Sequence, residues 1–270
     1  MRRLTRLASL AALVPANALT AQTPAVDATT LRPARYSYEV AVTRDGLTQP
    51  LGLQTISFAD AIYAGAPSWL ILEAREGGGI AGLDSVLASR DRLTPLHWGA
   101  SIGQARLAAE FTRDTLYGAT SSPLGRRSLV GAAPRGVIAS EGMLDGLLQL
   151  APIDNGWTAD ATLLFADLTG TRLIAAKLMV EREEDVTVPA GTFPSWVVSL
   201  RTGNAEKLLW VSKEHRFVVK SSQTLSQLNG AVLDRVLMRV DDLMLIPKPP
   251  AVPLPGDPPP DTTSRPHGSR

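Results

Sequence analysis

The chain has 270 residues, 44% of them apolar and 20% charged, with no cysteine. That is enough for one large globular unit or two small ones, and too apolar for a chain disordered throughout. The missing thiol excludes a disulfide framework, a thiolate nucleophile, a cysteine-bound metal and an acylated cysteine anchor, and 27 basic against 26 acidic side chains is not the balance of a nucleic-acid binder.

Residues 1–21 place Arg2, Arg3 and Arg6 before the apolar run 7–14, then end in small residues, with Ala16-Asn17-Ala18 and Leu19-Thr20-Ala21 as candidate cleavage sites. This is the pattern of a secretory signal peptide. The run is too short to span a bilayer and Pro15 interrupts it. Removing the leader leaves 24 basic against 26 acidic groups, and the expected location is periplasmic or extracellular. Residues 22–35 read as a linker, 36–246 as a single β-rich domain, and 247–270 as a disordered tail holding nine of the chain's 20 prolines. No later segment is apolar for long enough to span as a helix, so stable membrane insertion is not expected.

Apolar and polar residues alternate over 36–43, 51–58, 69–76, 104–112, 172–180, 193–201, 207–212, 216–222 and 232–240, which is strand chemistry. Turn signals fall between them, among them Asp45-Gly46, Pro189-Ala190-Gly191 and Asn229-Gly230. Such short connections imply antiparallel neighbours. One stretch differs: Ser140 can cap a short helix with Met143, Leu144, Leu147 and Leu148 on one face, stopped before Pro152, as a cap or plug. Lys177 beside Ala176, and Arg235 and Arg239 on either side of Leu237, predict one wet face. The fold class is mainly β: a strongly curved antiparallel sheet, half-barrel or barrel-like, with one or two short helices. Half-barrel and closed barrel share this pattern and both stay open.

The run Val186-Thr187-Val188-Pro189-Ala190-Gly191-Thr192-Phe193, then Trp196-Val197-Val198, Leu209-Trp210-Val211-Ser212 and Phe217-Val218-Val219-Lys220, resembles a family of secreted bacterial proteins, the domain-of-unknown-function 3108 type. Asp84-Ser85-Val86, Leu93-Thr94-Pro95 and Leu144-Asp145-Gly146-Leu147-Leu148 fit the same resemblance, which spans roughly residues 36–240. It implies an envelope protein built on a curved antiparallel sheet, remotely similar to periplasmic lipoprotein-carrier half-barrels, and it implies no catalytic residues. On their own terms, Pro189-Ala190-Gly191 form a turn that follows an acidic strand end at Glu183-Glu184-Asp185.

Gly99-Ala100-Ser101-Ile102-Gly103 matches the nucleophile elbow of serine hydrolases, with His215 as the downstream base. That fold needs alternating strands and helices, whereas strand patterns continue here, so a turn between strands is the expectation and a hydrolase using Ser101 the lesser alternative. His97, His215 and His267 lie too far apart for a short metal motif, and the acidic run 181–185 fits no EF-hand spacing, so neither metal nor cofactor is expected. Five of the 14 aromatic residues are tryptophans, and Trp98 and Trp210 are the candidate ligand-binding residues, lining an apolar pocket for a lipid or acyl chain. The expected function is non-enzymatic binding of a hydrophobic ligand or an envelope partner. A structural or interaction module of the envelope is the alternative.

Overall fold

The computed structural model describes residues 24–78, 81–134, 136–167, 170–203 and 205–242. The leader at 1–21 and the tail at 247–270 lie outside the described residues. Fifteen strands form one sheet. The first meander is β1 (Ala34–Arg44), β2 (Leu47–Tyr63), β3 (Ala66–Glu76), β4 (Gly82–Ser89), β5 (Pro95–Ile102), β6 (Ala105–Phe111), β7 (Thr115–Ser122) and β8 (Gly125–Ala132). After the two-residue strand β9 (Val137–Ile138) and helix α1 (Glu141–Leu150) comes the second, β10 (Thr158–Asp167), β11 (Gly170–Val188), β12 (Gly191–Thr202), β13 (Ala205–Ser212), β14 (Val218–Leu225) and β15 (Ala231–Asp242).

The spatial order is β8 through β1, then β15 back down to β9. Every neighbouring pair is antiparallel except β9 with β10. The two meanders are therefore joined where β1 meets β15, and Ala34 pairs with Asp242. Among the described residues the ladder does not close: β8 and β9 are its edges. Yet β8 curls back against β11, close enough that a Cβ on Gly131 would lie 2.3 Å from Thr171 Oγ1. The sheet is thus strongly curved and open.

Turn chemistry sets the registers. Asp45 and Gly46 take φ of 51° and 77°, and Asn229 and Gly230 take 54° and 76°, the left-handed pairs that match the twist of adjoining strands. All nine alternating runs of the sequence fall on strands. The acidic run at 181–185 is a correction: β11 continues to Val188, so these residues lie within a long strand rather than at its end, and a register shift between Val180 and Arg182 passes over Glu181. The stretch read as an N-terminal linker is also packed. Ala28 and Leu31 are buried, and Trp69 donates its indole N–H to Ala28 O at 2.9 Å.

Helix α1 lies on the inner face of the sheet. Ser140 caps it, its side chain accepting from the Met143 N–H at 3.2 Å. Met143, Leu144, Leu147 and Leu148 are buried, so the helix is an internal plug whose apolar area holds the curved sheet together. Two glycines let it approach: a Cβ on Gly142 would meet Ile71 Cγ2 at 2.8 Å, and one on Gly146 would meet Phe58 Cε1 at 2.9 Å.

Strand direction gives the molecule two poles. At the upper pole are the hairpin tips after β1, β3, β5, β10 and β12, together with the N-terminus of α1. At the lower pole are Ala34, Asp242 and the C-terminus of α1, whose Gln149 accepts from the Tyr36 hydroxyl at 3.3 Å.

Candidate functional site

Inward-facing residues on successive strands follow from parity. On β3, Trp69, Ile71 and Glu73 share a face and are all buried, so a carboxylate stands where the pattern calls for an apolar side chain. The same parity puts Gln54 with Ile56 and Phe58 on β2, and Arg235 with Leu237 on β15. The wet-face expectation for Arg235 is corrected here: it is 3% exposed, whereas Arg239 is 67% exposed. A register shift that skips Met238 separates their environments, since Ser37 pairs with Arg239 but Tyr38 with Leu237.

These polar groups meet at the N-terminus of α1. Trp98 on β5 donates to Asp84 Oδ1 on β4 at 2.8 Å, and Asp84 Oδ2 lies 3.9 Å from Arg75 Nη1. Arg75 donates to Glu73, Gln54 donates to Glu73 Oε1 at 2.7 Å and to Glu141 Oε2 at 3.1 Å, and the Gly142 N–H donates to Glu73 Oε2 at 3.3 Å. Glu141 accepts from Lys207 on β13, and Arg235 Nη1 lies 3.4 Å from Glu141 Oε1. Asp145, one turn along the helix, accepts from Arg235 Nη2 at 3.0 Å. The guanidinium of Arg235 packs over the Tyr38 ring, 4.4 Å from its centroid. A string of polar contacts thus crosses the inner face from β5 to β15.

Electrostatics follow from burial and neighbours. Burial pushes Glu73 up to about 7, with the Glu141 charge adding to the effect and Arg75 opposing it. Burial also raises Asp84 and Asp145. For Glu141 burial again works upward, but the Arg235 and Lys207 charges outweigh it and hold the carboxyl well below the usual carboxylate range.

Two cavities flank this string at the upper pole and share Arg75, Glu141, Lys207 and Gln223 in their walls. One, of about 370 Å³, runs past Trp98, Leu144, Leu163 and Leu200 to the partly exposed Phe165. The other, of about 340 Å³, runs past Val40, Leu51 and Leu233, with Arg235 in its wall. A third, of about 600 Å³, lies at the lower pole against Val26 and Met143, and Arg92 is its one charged lining residue among the described residues.

Of the two tryptophans singled out in the sequence, Trp98 lines the first upper cavity. Trp210 is on the other face of β13: Lys207 and Leu209 face the helix, while Trp210 donates to Glu184 Oε1 at 2.5 Å and lies under Lys220, 4.9 Å from its centroid to Nζ. The structure does not bring the two together. Ser101 sits inside β5, paired with Leu83 and Arg106, where a turn was expected, because the strand runs on to Ile102 before turning. His215 lies in the turn after β13 at the opposite pole, so the elbow geometry is not formed. His97 bonds Glu110 Oε1 at 2.8 Å, and His215 stacks on Phe217. Among the described residues no group of three His, Asp or Glu side chains could hold a metal ion, and no helix is long and apolar enough to cross a membrane.

Glu73, Gln54, Glu141, Asp145, Lys207 and Arg235 were not picked out as site residues in the sequence. Their one visible signal is polarity at an inward parity, as with Glu73 two residues after Ile71.

No family model matches the chain, the domain-of-unknown-function 3108 type included, and no curated protein matches it. Among solved structures, a beta-barrel-like protein of domain of unknown function DUF1849 from Brucella abortus is 11% identical, with 80% of this chain and 99% of that one covered and a TM-score of 0.49. The hypothetical lipoprotein YmcC from Escherichia coli is 11% identical, covering 78% and 86%, with a TM-score of 0.31. A DUF1329 family protein from Desulfovibrio piger is 9% identical, covering 79% and 86%, with a TM-score of 0.26.

Proposed function

We propose that this chain is a non-enzymatic envelope protein that holds an apolar chain, such as a lipid acyl group, at the upper pole of its curved sheet. The observation that carries this is the pair of cavities beside the N-terminus of α1, each walled on one side by aliphatic side chains, with Arg75, Glu141 and Lys207 on the side they share. Trp98 supplies the aromatic wall of the first. Burying a chain there removes on the order of 0.8 kcal/mol per methylene from water, enough for micromolar binding with a chain of moderate length once association costs are met. The leader pattern of residues 1–21 supports export, and ion pairs such as Arg201 with Glu181 and Lys213 with Glu183 put charge on the outer face.

The test is to export the chain, purify it without detergent, and record a native mass spectrum beside an organic extract. A bound mass of lipid size, or saturable binding of the neutral probe N-phenyl-1-naphthylamine, is the expected result. An empty protein that does not bind the probe overturns the proposal.

A further inference from the structure

The second upper cavity carries a feature that an apolar chain alone leaves unanswered. Arg235 is 3% exposed and lies in the cavity wall. Its Nη2 is matched by Asp145, but among the described residues Nε and Nη1 have no hydrogen-bond partner. Nη1 reaches Glu141 Oε1 only as a 3.4 Å ion-pair approach, and Asp145 Oδ2, 3.0 Å from Nη2, is likewise outside hydrogen-bonding geometry. Buried charged donors without acceptors are costly, and a guanidinium in this state calls for an oxygen acceptor. Tyr38 packs against the guanidinium and both donors are buried, so an incoming carbonyl reaches them only by displacing the side chains that cover them.

Charge decides which acceptor. Arg75, Lys207 and Arg235 already face Glu73, Asp84, Glu141 and Asp145 across the inner face, four acids to three bases. Glu73 registers this crowding, since burial and the Glu141 charge both disfavour its ionised form. A carboxylate or phosphate would add one more anion to the same buried cluster, and a cationic head group would face the Arg235 donors. A neutral carbonyl satisfies those donors without changing the charge.

Building on the proposed function, we infer that the ligand is a neutral acyl ester, its carbonyl oxygen accepting from the free donors of Arg235 while its chain lies along Val40, Leu51 and Leu233. The ligand class is then an acylglycerol rather than a free fatty acid or an anionic lipid head group.

The experiment is displacement of N-phenyl-1-naphthylamine from the purified full chain at pH 8, using 1-monolauroylglycerol, its ether analogue 1-O-dodecylglycerol, and laurate. The ester is expected to displace the probe at concentrations at least tenfold lower than either of the others. Arg235→Lys keeps a cation for Asp145 but removes the guanidinium donors, and it should erase that preference. Equal displacement by ester and ether, tighter binding of laurate, or an ester preference that survives in R235K would overturn the inference while leaving the apolar cavity standing. If R235K does not fold, the wild-type ratio of ester to ether decides alone. A wild-type protein that binds neither the probe nor any of the three ligands overturns the proposed function and the head-group assignment together.

Discussion

Glu73 is a carboxyl held by donors on three sides, from Gln54, Arg75 and the Gly142 N–H, yet burial and Glu141 favour its proton. Its folded-state pKa of about 7 lies above the unfolded value of 4.5, so the unfolded chain loses this proton first. Stability from this group is therefore complete below pH 4.5, falls as the pH rises toward 7, and is level above that. Glu141 works in the opposite sense, its lowered pKa contributing stability that is lost on acidification below 4.5. Urea melts at pH 4.5, 6 and 8 should show the decline in the native protein and none attributable to residue 73 in Glu73→Gln; an unchanged slope in that variant would assign the decline to other groups. Trp98 and Trp210 make a second pair of contrasts at this scale, because both are buried indoles bonded to a carboxylate but of the two only Trp98 lines the upper cavities. Trp98→Leu is expected to weaken N-phenyl-1-naphthylamine binding at least fivefold, and Trp210→Leu to leave it within twofold, as read by probe titration of the folded fraction.

Helix α1 is short enough that isolated helix formation is unfavourable, so its ten residues depend on the cap and on the sheet around them. Ser140→Ala removes the acceptor for the Met143 N–H and should cost about 1 kcal/mol by urea denaturation. Gly142 and Gly146 act through shape: alanine improves helix propensity by about 1 kcal/mol at each, but each new methyl collides with Ile71 or Phe58. The double alanine variant is expected to lower stability by about 2 kcal/mol, seen as a Tm drop of roughly 4–8 °C. Much of this element was legible in the sequence, since a cap, an apolar face and a terminating proline are all local signals. The strands divide in the same way. Those with clear alternation were readable, while β4, β5, β7, β8, β9 and β10 were not among the alternating runs. In β7 the run Gly118-Ala119-Thr120-Ser121-Ser122 has too little apolar contrast to show a period, and in β4 the apolar Leu83 is exposed while its neighbour Asp84 turns inward to Trp98, which inverts the pattern. The site was least legible because Gln54, Glu73, Glu141 and Arg235 come together only through pairings far apart in sequence. An arginine next to apolar residues reads as solvated until a partner such as Asp145 is known.

At the scale of the whole sheet, β1 and β15 are flanked on both sides by paired strands, whereas β8 has a ladder partner on one side only. Backbone amides along an unpaired edge open at low free energy. Hydrogen exchange followed by mass spectrometry should therefore show peptides covering 125–132 losing protection well before those covering 34–44 and 231–242. Equal protection would mean that β8 is paired in solution and that the curved sheet closes. The pairing of Ala34 with Asp242 sets the molecule's polarity toward its surroundings. The first strand begins and the last ends at one spot, at the pole away from the cavities that Arg75, Lys207 and Gln223 line. A tether, a fusion or an immobilising tag joined directly at the start of the first strand or the end of the last would hold the protein by its base and leave the cavities of the upper pole uncovered.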